Sequence, residues 1–424
     1  MPFVGAECPS LPRRGQGCEG GAAMFEPIKA PWIRAGVLLH EPGMPVEDVL
    51  EAFVGALRER GFKVAGAVQR ERDGVIQVAD LASGTVSVAE TPSHALRLAG
   101  GSLRRALRDD VDLVVLSPFN AFESAVREMM ATLEEGAGQQ GMPVLTTLSG
   151  GDVQRWLEVA GSRGTLLLPT PRALWQWWGP ERLYDDLSLG VAQDEVRRIV
   201  CGPRWLMIEG PAGVGLAHLS GASRDLQGRL DELRRRSLRQ LAELYRSWDP
   251  LDMAVAVAAL NAHVNRVDLE TLPGNGTESL RGEAGRVVVV GAFPGLADTV
   301  PHPQVIEANP RPGEFPPSAM ESLLPGCARA VVASSSLLNR TLPRVLRLAQ
   351  GARVALIGPG TPLSPRLHAY GVERMGGLIV RDADGLAAAL RAGALPREFV
   401  RFGDYRHLQA EPPAEERSYR FRAV

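Results

Sequence analysis

Five short apolar runs in the last third of the chain constrain its fold most. They read "RVVVVG" at 286–291, "QVIEAN" at 304–309, "ARAVVAS" at 328–334, "RVALIG" at 353–358 and "GGLIV" at 376–380. Helical segments lie between them, notably at 318–324 and 340–350. Near-continuous apolar strands alternating with helices predict a parallel sheet covered on both faces. The charged tail after about 395 reads largely as loop. In such open sheets, ligands bind beyond the carboxyl ends of the strands.

The first half repeats the alternation in weaker form. "AGVLLHEPG" at 35–43, "KVAGAVQR" at 63–70, "VDLVVLS" at 111–117 and "MPVLTTL" at 142–148 read as strands. Helical spacing occupies 46–62, about 101–108 and 122–135, and "VIQVADLASGTVSVAE" at 75–90 reads as a hairpin around Ser83-Gly84. A tryptophan-rich stretch, "LWQWWGPERL", closes this unit. Between the halves, 195–220 reads as three short strands separated by Gly-Pro turns. Two helices follow, at about 230–248 and 250–265. Residues 266–285 are a linker by composition, and the "NGT" within them reads as a turn.

The fold class that follows is α/β. Two Rossmann-like, doubly wound three-layer domains carry a small α+β cap between them. The expected division is a disordered extension over 1–30, an α/β domain over 31–180, the cap over 181–275, and a Rossmann-like domain with its tail over 276–424. Met24 offers an alternative start. A chain of 424 residues exceeds one ordinary core, which agrees with several domains.

Composition narrows the function. The chain is 45% hydrophobic and 23% charged with a net charge of −2, so nothing points to nucleic acid or to a membrane surface. No apolar run is long enough to span a bilayer. The four cysteines, Cys8, Cys18, Cys201 and Cys327, form no C-x-x-C pair, which argues against a disulfide framework or a cysteine zinc site. The first 23 residues do not read as a secretory signal, and a cytoplasmic location is expected.

Chemistry is expected where the last strands end. Gly291 and Gly295 in "VVVVGAFPGLAD" allow close backbone approach to a ligand, although G-x-x-x-G is not the dinucleotide fingerprint. The alternative reading is a tight corner alone. Glu307 ends the second strand, where a carboxylate can accept hydrogen bonds from a ribose diol, or can simply be solvated. Ser334, Ser335 and Ser336 follow the third strand and either cap a helix or make an anion-binding corner. Gly358, Gly360 and Thr361 follow the fourth by the same logic. The seven histidines show no metal-ligand spacing. His302, the one nearest the expected cleft, reads better as a surface or core residue. No nucleophile elbow and no phosphate-binding G-x-x-x-x-G-K-[ST] is present.

Two resemblances add to this. Residues from about 190 to 395 resemble a bacterial family of heavy-metal chelation domains, which pairs an enolase-N-like cap with a Rossmann-like domain. The matching stretches are "GVGLAHLS", "LAELYRSWDPLDMAVAVAALNAHVN", "VVVVGAFPGL", "SSSLLNRTLPRVL" and "ALIGPGTPLSPRLHAYGV". Phe293, Asn339, Thr341 and Leu342 fall within these stretches, and the first three join the candidate ligand residues. Serines at 334–336 stand where the family is threonine- and glycine-rich. Residues from about 33 to 178 resemble a family like a nucleoside triphosphatase without its phosphate loop, found near molybdate-transport functions. "ALRERGFKVAGAVQ", "VDLVVLSPFNAFES" and "GMPVLTTL" carry that match. "SPFN" at 117–120 departs from the family's Asn-Lys-Phe-Gly, its His-His-Cys-Asp segment is missing, and "SHALRL" at 93–98 replaces its Cys-Arg-Leu-Asp segment. The first domain is therefore expected to be degenerate.

Together these imply a metal-handling protein, serving molybdenum or iron cofactor supply, with a metal ion, an oxyanion or a small ligand in the cleft between cap and sheet. The alternatives are a nucleotide- or S-adenosylmethionine-binding enzyme, and a non-catalytic assembly or regulatory protein acting on a metalloenzyme maturation partner. Homo-oligomerisation is compatible with all three.

Overall fold

The computed structural model describes residues 34–108, 111–134, 142–161, 164–219, 226–277, 285–293 and 302–410. The expected extension over 1–30 lies outside them. The α/β expectation holds: two seven-stranded, parallel-rich sheets flank one small antiparallel sheet.

The first sheet begins with β1 (Ala35–His40), α1 (Val46–Glu59) and β2 (Val64–Arg72). The hairpin β3 (Val75–Asp80) and β4 (Val86–Ala89) turns at the anticipated Ser83-Gly84, where Gly84 has φ of +73°. Then come α2 (Pro92–Arg108), β5 (Leu113–Ser117), α3 (Phe119–Glu134), β6 (Val144–Ser149), α4 (Val153–Ala160), β7 (Gly164–Leu167) and α5 (Pro171–Trp178). Strand order is β4-β3-β2-β5-β6-β1-β7, with β2, β5, β6, β1 and β7 parallel. The short β7 was not expected; two of its four residues are exposed at an edge, which leaves little apolar signal. The tryptophans of α5 seal the unit. A side-chain carbon at Gly36 would stand 2.6 Å from the Trp177 ring, so glycine in β1 lets that indole lie on the strand.

After α6 (Leu183–Leu189), the small sheet comprises β8 (Arg198–Cys201), β9 (Trp205–Glu209) and β10 (Val214–His218), antiparallel in the order β10-β9-β8. The three strands and their Gly-Pro turns match expectation. The expected helix at 230–248 does not. The chain forms α7 (Leu226–Leu233), breaks, and restarts at α8 (Leu238–Ala242), where Ser237 and Gln240 make a reciprocal capping box. A 3-10 turn follows, and then α9 (Pro250–Val264). Asp249 caps α9 by accepting from the Leu251 and Asp252 amides at 2.8 and 3.1 Å. The alanines of α9 and Gly215 of β10 bring helix and strand into direct contact: a carbon added at Gly215 would stand 1.9 Å from the Ala258 carbonyl oxygen.

The second large sheet contains β11 (Leu272–Pro273), β12 (Val287–Val290), β13 (Gln304–Ile306), β14 (Arg329–Ala333), β15 (Arg353–Ile357), β16 (Val372–Val380) and β17 (Gly403–Gln409). Its order is β11-β17-β16-β15-β14-β12-β13. β13, β12, β14, β15 and β16 run parallel, whereas β17 and β11 add antiparallel at one side. Two expectations are corrected here. The linker contributes β11, and the tail forms a 3-10 turn over Pro396–Arg401 and then β17 rather than loop. β17 reads Gly-Asp-Tyr-Arg-His-Leu-Gln, whose mixed polarity hides a strand that sits toward the margin of the sheet. The inner strands bury both faces as expected, Val288, Val290 and Val332 on one and Val289, Val331 and Ala355 on the other.

A buried polar junction ties the halves together. Asp186 on α6 is fully buried and accepts from Arg60, just beyond α1, from Arg366 at 2.5 Å and from the Tyr370 hydroxyl at 3.0 Å. Trp175 adds an edge contact to Tyr370 with ring centroids 5.6 Å apart, and the Arg60 guanidinium lies 4.6 Å from the Trp175 ring centre. Among the described residues, no helix is long and apolar enough to cross a membrane.

Candidate functional site

The sheet order brings four strand ends side by side. β13, β12, β14 and β15 are neighbours and parallel, so Glu307, Gly291, Ser334 and Gly358 line one carboxyl edge in that order. The β12 and β15 turns need glycine for physical reasons. Gly291 has φ of +87°, and a side-chain carbon there would stand 2.6 Å from the Ala333 Cβ. Gly358 has φ of +143°, and its added carbon would stand 2.4 Å from Ser334 Oγ. Both positions combine the mirror-image backbone with a neighbour too close for any side chain. The turns are tied across the sheet by Gly291 N to Ile306 O at 2.9 Å, Ser334 N to Ile357 O at 2.8 Å and Gly358 N to Gly376 O at 3.0 Å.

The half-buried Glu307 carboxylate reaches back over the glycine turn. One oxygen accepts from the Ala292 amide and the other from the Ala308 amide at 3.1 Å. The β13 end is thereby locked to the β12 end. Phe293 is half-buried and packs against Val289, Val305, Val331, Ala355 and Ile357, a role in the core. Gly295 lies outside the described residues. Ser334 is half-buried, Ser335 is exposed, and Ser336 is buried with no hydrogen-bond partner for its hydroxyl. Ser334 is no side-chain cap for the short helix Ser335–Leu338. Asn339 and Thr341 pair locally, with the Thr341 amide and hydroxyl donating to Asn339 Oδ1 at 3.1 and 2.7 Å. Thr361 is fully buried, its hydroxyl also without a partner, and its amide donates to Gly358 O at 3.0 Å. His302 is exposed with φ of +52°.

Residues of the small layer complete the edge. Asn261 on α9 donates through Nδ2 to both Leu216 O and Gly360 O, each at 2.9 Å. Asn265, which caps the same helix, donates to Thr361 O at 2.9 Å and accepts from the Leu363 amide at 2.8 Å. The pair clamps the 358–363 loop against α9. Two asparagines four apart in an alanine- and valine-rich helix were the visible signal, because that spacing places both on one face.

Arg340, inside the 334–341 loop, points away from the edge. It donates to the Tyr245 carbonyl and, at 2.7 Å, to the Ser247 carbonyl, and its guanidinium lies 5.9 and 5.0 Å from the Tyr184 and Trp248 ring centres. Burial holds its pKa below the usual arginine value. Burial also raises the pKa of Tyr184, whose hydroxyl donates to Leu337 O at 2.8 Å.

A bare heavy-metal ion does not fit this donor set. Among the described residues, the edge offers one carboxylate, hydroxyls and backbone groups, whereas soft metals are held by thiolate and imidazole. Among the described residues, no group of three or more His, Cys, Asp or Glu side chains could hold a metal ion. Cys201 is half-buried and Cys327 buried, and burial raises both thiol pKa values.

Three family models match in succession: DUF2478, a "Protein of unknown function", over 35–177; DUF4213, "Putative heavy-metal chelation", over 184–264; and DUF364, "Putative heavy-metal chelation", over 277–409. A crystal structure of a DUF364-family protein of unknown function from Desulfitobacterium hafniense DCB-2 is 28% identical with a TM-score of 0.50. That match covers 55% of this chain and 98% of the other. A second, from Pyrococcus horikoshii, is 18% identical with a TM-score of 0.47, covering 54% of this chain and 98% of that one. No curated protein matches the chain. The chain thus carries adjoining regions that match the DUF4213 and DUF364 models, both described as "Putative heavy-metal chelation", with a region that matches DUF2478 ahead of them.

Proposed function

We propose that this protein handles metal as a complex with a small organic ligand, held where β13, β12, β14 and β15 end beneath the small layer. The division into a first α/β domain over 31–180, a cap over 181–275 and a Rossmann-like domain from 276, acting in the cytoplasm, belongs to the same proposal. One observation carries it: among the described residues, four adjacent strand ends present glycine turns, hydroxyls and one carboxylate, with no thiolate or imidazole set. That surface suits hydroxyl- or N–H-bearing groups of an organic molecule better than a naked cation. The heavy-metal chelation descriptions support the link to metal.

A second reading, a nucleotide- or S-adenosylmethionine-binding enzyme, draws on Glu307. Its carboxylate lies over the Gly291 turn, where a ribose diol would sit. Calorimetric titration with iron(II), zinc, molybdate, ferrioxamine B, adenosine and S-adenosylmethionine separates the readings. Saturable binding of ferrioxamine B, an iron(III) chelate that carries amide N–H and ammonium donors, lost in Glu307→Ala, supports the first. Binding of only the nucleosides supports the second. Stoichiometric binding of a bare ion would overturn both.

A further inference from the structure

Three polar atoms at the seam between α9 and the edge loops are buried without hydrogen-bond partners: Asn261 Oδ1, Ser336 Oγ and Thr361 Oγ1. Their residues are 0, 2 and 0% exposed. They belong to one neighbourhood. Asn261 Nδ2 holds Gly360 O at 2.9 Å, and Thr361 follows Gly360 in the chain. Carbons added at Gly358 and Gly360 would stand 2.4 and 3.6 Å from the hydroxyl of Ser334, two residues before Ser336. The Asn261 amide has one sensible orientation. Its nitrogen faces two carbonyl oxygens, Leu216 O and Gly360 O, so its oxygen faces the other way.

Buried polar groups in folded proteins are nearly always paired, and each exception calls for a partner of its own. Here one exception is a pure acceptor and two are hydroxyls that donate or accept. Ser334, half-buried, and Ser335, exposed, precede Ser336 in the chain.

We infer that this seam is the recognition pocket for the donor-bearing end of the ligand, which presents a hydroxyl or N–H group to Asn261 Oδ1 and is met by the Ser336 and Thr361 hydroxyls. The inference rests on the ligand site proposed above and narrows its occupant. With Asn261 Oδ1 and Glu307 both acceptors, the occupant is an organic molecule rich in donors. An oxyanion carrying only acceptors is rejected.

The test compares wild type, Ser336→Ala and Thr361→Val by calorimetry with ferrioxamine B, adenosine, S-adenosylmethionine and molybdate, alongside thermal melting. Each variant removes a hydroxyl and keeps the shape nearly unchanged. Whichever organic probe binds wild type should bind each variant about five- to tenfold more weakly, the worth of one net hydrogen bond. The melting temperature should not fall, because the folded protein loses no hydrogen bond, and molybdate should bind none of the three proteins. Equal affinity in wild type and both variants would overturn this inference alone. Molybdate as the tightest ligand would also overturn it. Failure of every probe to bind wild type would overturn the proposed ligand site as well.

Discussion

The Asn261 side-chain amide donates to the Gly360 carbonyl oxygen at 2.9 Å, joining the helix of the small layer to the turn beyond β15. This contact and those of Asn265 define the roof of the candidate site. The small layer is therefore part of the candidate edge.

The first prediction concerns that roof. Asn265→Ala removes donors to Thr361 O and Leu378 O and the acceptor for the Leu363 amide, all buried. Leaving such groups unmet costs about 1–3 kcal/mol each, and the losses are not additive. Chemical denaturation should show a loss in that range or above. Hydrogen exchange should show the Leu363 amide deprotected first. Unchanged protection at Leu363 would mean that the loop is held by other contacts.

The second concerns the glycine turns. Gly358→Ala meets both an unfavourable backbone angle and Ser334, whereas Gly371→Ala at φ of +92° meets no atom within 4 Å. Strain in such a backbone region costs roughly 1–3 kcal/mol. Gly358→Ala should therefore destabilise more than Gly371→Ala in a melting experiment, and it alone should weaken ligand binding. Equal effects would show that backbone angle alone selects glycine at 358.

The third concerns the junction between the halves. Asp186→Asn leaves Arg60 and Arg366 facing a neutral group in a site where the aspartate is fully buried. Breaking a buried pair from one side costs about 3–5 kcal/mol. The arginines are 17 and 24% exposed, so the low end of that range applies. Denaturant titration should show the loss, and limited proteolysis should then separate the first α/β unit from the remainder. A variant as stable as wild type would make the junction a passive contact.

The fourth is a pH dependence. Burial raises the hydroxyl pKa values of Tyr184 and Tyr370, and pushes Tyr405 up to about 12. A raised folded-state pKa means that the folded protein holds its proton when the unfolded chain releases it. Stability from these groups is thus complete below about pH 10 and is lost as pH rises through and beyond that value. The slope should approach about 1.4 kcal/mol per pH unit for each such tyrosine between pH 10 and the folded-state value. Tyr184→Phe should flatten the slope. An equally steep slope in that variant would contradict the assignment.

How much was legible follows from where the signals lie. The inner strands of the second sheet announced themselves because both faces are buried, which makes Val287–Val290 and Arg353–Ile357 almost wholly apolar. Since the strands run parallel and adjacent, their ends had to share an edge, and Gly291, Glu307, Ser334 and Gly358 do. β17 was hidden because a strand toward the margin of a sheet tolerates Asp404 and Arg406 on one face and the buried His407 on the other. The break between α7 and α8 was missed where the arginine run at 234–236 continues a helical pattern, although Ser237 and Gln240 spelled a capping box. Asn261 and Asn265 escaped because their role depends on a loop about a hundred residues away. Phe293 was placed in the site by resemblance, and its half-buried ring packs against the small apolar cluster of the sheet.

The most direct test of the central claim is a crystal structure of the full chain with the organic probe that binds it best. The account predicts density along the edge formed by Gly291, Glu307 and Gly358, reaching Ser336, Thr361 and Asn261 beneath α9. Density elsewhere on the molecule, or a bare metal ion coordinated at that edge by protein side chains alone, would contradict it.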